Sequence, residues 1–167
     1  MKTTVTEYTI PQGDRGAYQT LKIMKRIVKE AMRDIPVLDT AKTIIRSVGG
    51  KDRSAQAVAI AEWVRPRLRF VRDPYGIETL HTPLFMLSRI NTVGMYEADC
   101  DDYAILSAAL AKAVGLRTKF VVLGFHSAEH PFTHVYAMAE TPQGWVPFDV
   151  SFGLPPGAIQ RRAYYEV

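Results

Sequence analysis

Polar and apolar residues in the first third of the chain recur with a helical period. In "GAYQTLKIMKRIVKEAMRDI", Tyr18, Leu21, Met24, Ile27, Val28, Ala31 and Met32 fall on one face. The pattern predicts a helix capped by Asp14 and stopped by Pro36. A second short helix is expected over 37–48, ended by Gly49 and Gly50. A third opens at "DRSAQAVAIAEWVRPRL", with Asp52 or Ser54 as cap and Pro66 at its end or at a kink. "PLFMLSRI" (83–90) reads as a short helix with Pro83 in its first turn.

A central helix then starts at Cys100. Leu106, Ala109, Leu110 and Ala113 repeat at helical spacing, and Gly115 suits the position just beyond the end. After it the period changes. "RTKFVVLGF" (117–125), "FTHVYAMAE" (132–140) and "GWVPFDVSF" (144–152) are rich in β-branched and aromatic residues and read as strands. "TPQG" joins the last two as a tight turn. Helices followed by an antiparallel meander predict an α+β fold, with the Cys-bearing helix packed on the sheet. Two prolines argue against a regular element at the start of "LPPGAIQRRAYYEV" (154–167). The expected organisation is a single domain over 1–167: a helical segment 1–59, a core 60–153 and a tail 154–167.

Composition changes this picture little. A chain of 167 residues can bury one ordinary core. Residues 1–72 carry 15 Lys and Arg against 7 Asp and Glu, whereas 73–167 carry 6 against 10. The basic residues are spread along helical patterns and read as solvated faces. The densest group, "VRPRLRFVR" (64–72), holds one aromatic residue and no nucleic-acid motif, so nucleic acid is not an expected partner. "MKTTVTEYTIPQGD" lacks the basic start and apolar core of a signal peptide, and no apolar run has membrane-spanning length. A single cysteine permits no internal disulfide and fits a reducing compartment.

That cysteine lies in "ADCDDYAILSAALAKAVGL" (98–116), among Asp99, Asp101 and Asp102. Asp99 can cap the helix, and the other two suit the positive end of its dipole. The same dipole stabilises a thiolate, while ionised neighbours oppose it, so a nucleophile here needs a cationic partner. His134 and Asp149 supply one. If the "TPQG" turn centres on Pro142 and Gln143, paired residue numbers sum to 285. Tyr136 then faces Asp149, His134 faces Ser151, and His134 and Asp149 are diagonal neighbours on one sheet face. Nucleophile, base and orienting acid thus follow in the order Cys100, His134, Asp149.

His126, His130 and His134 recur every four residues, but Pro131 interrupts any helix that would align them on one face. No paired cysteines or His-Glu-x-x-His motif supports zinc, and "DCDD" lacks the glycine and terminal glutamate of a calcium loop. No metal or other cofactor is expected. His126 and His130 read as loop residues near the site mouth.

"ADCDDYAILSAALAKAVGLRTKFVVL", "HVYAM" and "GWVPFDVSFG" together resemble the transglutaminase-like superfamily, which has a papain-like cysteine peptidase fold. "RLRFVRDPYGIETLHTPLFML" is similar to the versions found in bacteriophage and prophage proteins. The resemblance spans about 60–153 and implies that Cys100 is the nucleophile, His134 the base and Asp149 the orienter. Ala98 stands where the family often has glycine, and Tyr136 where it often has tryptophan. The implied activity is acyl transfer on an amide through a thioester, as a peptidase or amidase. A cross-linking transglutaminase and a non-catalytic phage assembly component are the alternatives. The implied substrates are a peptide, a protein or a peptidoglycan peptide, with phage virion proteins as partners and the host cytoplasm or the virion as location. An oxyanion hole would use the Cys100 N–H. His81, Tyr96, Asp99 and Tyr136 are the further candidates for oxyanion or substrate binding; His81 and Tyr96 also read as packing or loop-capping residues, the preferred reading for Tyr96.

Overall fold

The computed structural model describes residues 5–49, 51–74, 77–125, 132–149 and 161–167. Three helices come first: α1 (Asp14–Ala31), α2 (Ile35–Arg46) and α3 (Arg53–Val64). A short 3₁₀ turn, Arg65–Arg67, carries Pro66 and leads into β1 (Leu68–Phe70). Then follow α4 (Pro83–Val93), β2 (Tyr96–Ala98) and α5 (Cys100–Ala113). Strands β3 (Thr118–Gly124), β4 (His134–Thr141), β5 (Gly144–Phe148) and β6 (Arg161–Glu166) complete the order. The fold is α+β, as the segregated periods predict.

The caps correct two expectations. Gly13, at φ 72°, occupies the N-cap position of α1, and Asp14 is the first helical residue, where its charge meets the helix dipole. Pro36 does not stop α1. It lies in the first turn of α2, where a missing N–H costs nothing. Asp52 caps α3 as predicted, accepting from the Ser54 and Ala55 N–H groups at 2.9 and 3.0 Å.

α5 is the axis of the molecule. Every residue from Asp101 to Ala111 is buried, so the helix is enclosed on all sides instead of presenting one apolar stripe. Leu106, Ala109 and Leu110 share the core with Met24 and Val28 of α1, Val37 and Ala41 of α2 and Ile60 of α3. The alanines at 104, 108, 109 and 111 let these elements approach closely.

The main sheet is antiparallel in the order β5-β4-β3-β6. Thr141 pairs with Gly144 and Ala137 with Phe148, which is the register the turn predicts. Phe120, Val122, Val135, Ala137 and Phe148 face the main core, and Val121, Leu123 and Tyr136 form a smaller cluster with Phe125 and Met138. Three strands escape the sequence patterns. The tail contributes β6, which pairs with β3 and places Tyr165 opposite Phe120. β1 and β2 form a separate parallel pair just before α5, with Leu68 opposite Tyr96.

Candidate active site

Asp99 turns the chain into α5. Its Oδ1 accepts from the Asp101 N–H at 3.0 Å and the Asp102 N–H at 3.3 Å, satisfying two of the free donors at the helix start. Cys100 is therefore the first helical residue, and it is half-buried. Its sulfur accepts a hydrogen bond from the Val135 backbone N–H, which favours the thiolate. Burial and the charges of Asp101 and Asp99 outweigh that bond and push the thiol well above its usual value. Burial first, and the carboxylates after it, thus outweigh the helix end and favour the neutral thiol.

Val135 follows His134, the first residue of β4, so the thiol sits against the start of this strand. His134 Nε2 lies 2.9 Å from Asp149 Oδ1, the diagonal contact the hairpin register predicts. The His134 side chain is only 10% exposed and that of Asp149 23%, so the bond is partly shielded from water. Phe125 and Tyr136 flank the imidazole, each with its ring centroid 6.1 Å away. These neighbours fix the ring in place.

A second pair stands at the same helix mouth. Asp102 is 2% exposed, and both its oxygens hold His81: Oδ1 accepts from the backbone N–H at 2.9 Å, and Oδ2 lies 2.8 Å from Nδ1. The Asp102 bond holds the His81 pKa above its ordinary value despite partial burial, and Asp73 and Asp99 act in the same direction. Phe85 stacks on the His81 ring at 5.5 Å, and Tyr96 meets it edge-on at 5.4 Å. Tyr96 thus packs against this pair, its hydroxyl pushed up to about 12 by burial and then by Asp102.

The remaining carboxylates form a cluster. Asp73, Glu78 and Asp99 each place an oxygen within 4.8 Å of the others. Asp101 is buried and hydrogen-bonded to Glu78, and burial first and this bond next hold it far above the usual carboxyl range. Burial, then Asp102, pushes Asp99 up to about 7. Three such oxygens are within reach of one hard cation, but closely spaced carboxyls with raised pKa values equally share protons. Of the residues singled out in the sequence, His134 and Asp149 are hydrogen-bonded, Cys100 meets the backbone of the residue after His134, Tyr136 adjoins His134, and His81 packs with Tyr96 against Asp102 of α5. His126 and His130 lie outside the described residues. Sequence patterns missed Asp73, Glu78 and Phe85, and read Asp102 as a dipole partner only. Its one usable signal was the number of acids, since a helix start needs one cap.

With this geometry, the matched family is coherent. Residues 42–150 match the model of the transglutaminase-like superfamily, and the chain belongs to that superfamily. No curated protein matches the chain in sequence. Among solved structures, it is similar to a candidate protease from Parabacteroides distasonis ATCC 8503, with a TM-score of 0.63 at 11% identity over 99% of this chain. It is also similar to a candidate cysteine protease from Cytophaga hutchinsonii, with a TM-score of 0.54 at 16% identity over 77% of this chain. The similarity spans 34% and 41% of those two chains, so it establishes the shared fold only. Among the described residues no helix is long and apolar enough to cross a membrane.

Proposed function

We propose that the protein is a cysteine peptidase or amidase in which Cys100, His134 and Asp149 act as nucleophile, base and orienter. One observation carries this reading: the Cys100 sulfur is bonded to the N–H of the residue after His134, whose ring is bonded to Asp149. Asp149 holds Nε2, so Nδ1 is the nitrogen that serves the thiol. Because the thiol rests protonated, His134 removes its proton as sulfur attacks the carbonyl, instead of waiting as a preformed ion pair. The Cys100 backbone N–H, at the open end of α5, is a donor for the oxyanion. A thioester and a free amine result, and water releases the acid. We favour hydrolysis over cross-linking, with a peptide or peptidoglycan peptide as substrate. The phage or prophage setting rests on the resemblance carried by 67–87.

The test is acyl transfer from N-acetyl-alanine p-nitrophenyl ester, followed by intact mass. An acetyl-alanyl adduct on Cys100, absent in Cys100→Ser and slowed in His134→Ala, supports the reading. Equal adduct in His134→Ala removes His134 as base. Supplying a fluorescent primary amine separates the outcomes, since amine capture in preference to water would make the protein a transglutaminase.

A further inference from the structure

Phe120, Val122, Val135 and Ala137 turn to the α5 core, so the alternate residues form the opposite face of the main sheet. His134 stands on that face, and Tyr136, Met138 and Glu140 follow it along β4. The registers add Lys119 opposite Met138, Tyr164 opposite Val121, Glu166 opposite Lys119, and Trp145 opposite Glu140. Lys119 is half-buried here. Its Nζ lies 3.8 Å from the centroid of the Trp145 ring and 4.5 Å from that of Tyr164, so two rings hold the ammonium between them. The carboxylates nearest in register turn elsewhere. Glu140 lies 2.7 Å and Glu166 3.9 Å from the Arg117 guanidinium. Among the described residues no carboxylate pairs with Lys119. Exposed Arg162, hydrogen-bonded to Tyr164, adds a second cation beside that ring.

We infer that Lys119, seated between Trp145 and Tyr164, is a specificity residue that binds a carboxylate of the substrate; this rests on the assignment of Cys100 and His134 above. The rings fix the ammonium without neutralising it, so an incoming carboxylate meets a charge already in position. Met138, the register partner of Lys119, is four residues along β4 from His134. At about 3.3 Å per residue the separation is about 13 Å, which an extended peptide of about four residues spans. The favoured substrate is therefore an acidic peptide, its carboxylate about three to five residues from the reacting carbonyl. A lysine that only shields the two rings would need its methylene stem and not its charge, so removing the charge alone separates the two roles.

The probes are acetylated alanyl peptides activated as p-nitrophenyl esters, with Glu or Gln placed in turn at the third to fifth residue from the ester. Alanyl peptides with the same replacements, as C-terminal acids and as amides, are added as competitors of Cys100 acylation. They cover the amine side and tell a side-chain carboxylate from one at a chain end. In the parent, the Glu probe or competitor should outperform its Gln partner by about tenfold at one of these positions, or the C-terminal acid its amide. In Lys119→Met, which keeps an apolar stem, that ratio should fall to within about twofold of one, and in Lys119→Arg it should persist. Taking the ratio within each variant cancels any general loss of activity or of folded protein. A parent ratio near one throughout overturns the inference and leaves the triad standing; so does a ratio that survives in Lys119→Met. If the parent forms no Cys100 adduct with any ester, the triad reading falls, and this inference with it.

Discussion

His134 and Asp149 meet diagonally across the β4–β5 hairpin, Nε2 to Oδ1 at 2.9 Å, because the turn joins Thr141 to Gly144 and keeps both side chains on one sheet face. The contact is partly shielded, so the acid's charge matters as well as its shape. Asp149→Asn preserves an acceptor for Nε2 but removes the charge that supports an imidazolium. The expected result is a fall of about 10²-fold in Cys100 acylation by the ester, with an unchanged melting temperature. A loss below about threefold would mean that Asp149 only positions the ring.

The thiol poses the opposite problem. Burial, Asp101 and Asp99 all oppose its ionisation. Asp101 and Glu78 are hydrogen-bonded, so a single substitution leaves the charge of the pair ambiguous. The double variant Glu78→Gln with Asp101→Asn keeps the bond and removes the charge. Its iodoacetamide alkylation rate, followed against pH, should have a lower midpoint than the parent, and alkylation at neutral pH should be faster. An unmoved midpoint in a folded variant would assign the raised thiol to burial and Asp99 without Asp101.

Much of this site was legible because local rules set it. The register follows from a tight turn and a period of two, and the Cys100 position follows from an Asp cap and an apolar helix. The Asp14 and Pro36 expectations failed because a cap and a first-turn residue differ by one position, and Pro is compatible with a helix start as well as a stop. β6 was hidden because its partner, β3, lies about forty residues earlier in the chain, so no local turn announces the pairing. His81 and Asp102 are 21 residues apart, one in the segment before α4 and the other in α5, so no local pattern announces their pairing.

β3 carries the packing on which the site depends. Phe120 is fully buried between α5 and the sheet, opposite Ala137 on β4 and Tyr165 on β6. Phe120→Ala leaves a cavity flanked by backbone that cannot collapse far, at a cost of about 3–5 kcal/mol. That is a large part of the stability of an ordinary domain. Urea unfolding should show a lower midpoint with an unchanged slope, and a loss under about 1 kcal/mol would contradict the packing described.

The carboxyl cluster also predicts how stability varies with pH. Asp99 titrates at about 7 in the folded protein, against 3.8 when unperturbed. Between those values the folded state binds a proton that the unfolded state has lost, so stability falls as pH rises across this window. Its contribution has an upper bound of about 4 kcal/mol. Buried Asp101, raised further, acts in the same direction. His81, raised by Asp102, adds stability that is complete below its unfolded value and lost as pH climbs through its folded one. The three effects reinforce one another, so the melting temperature should be higher at pH 5 than at pH 8. Asp99→Asn should flatten that slope, because the amide keeps an oxygen for the Asp101 and Asp102 N–H groups but has no proton to lose. A protein more stable at pH 8 than at pH 5 would show that these carboxyls are ionised and compensated in the fold.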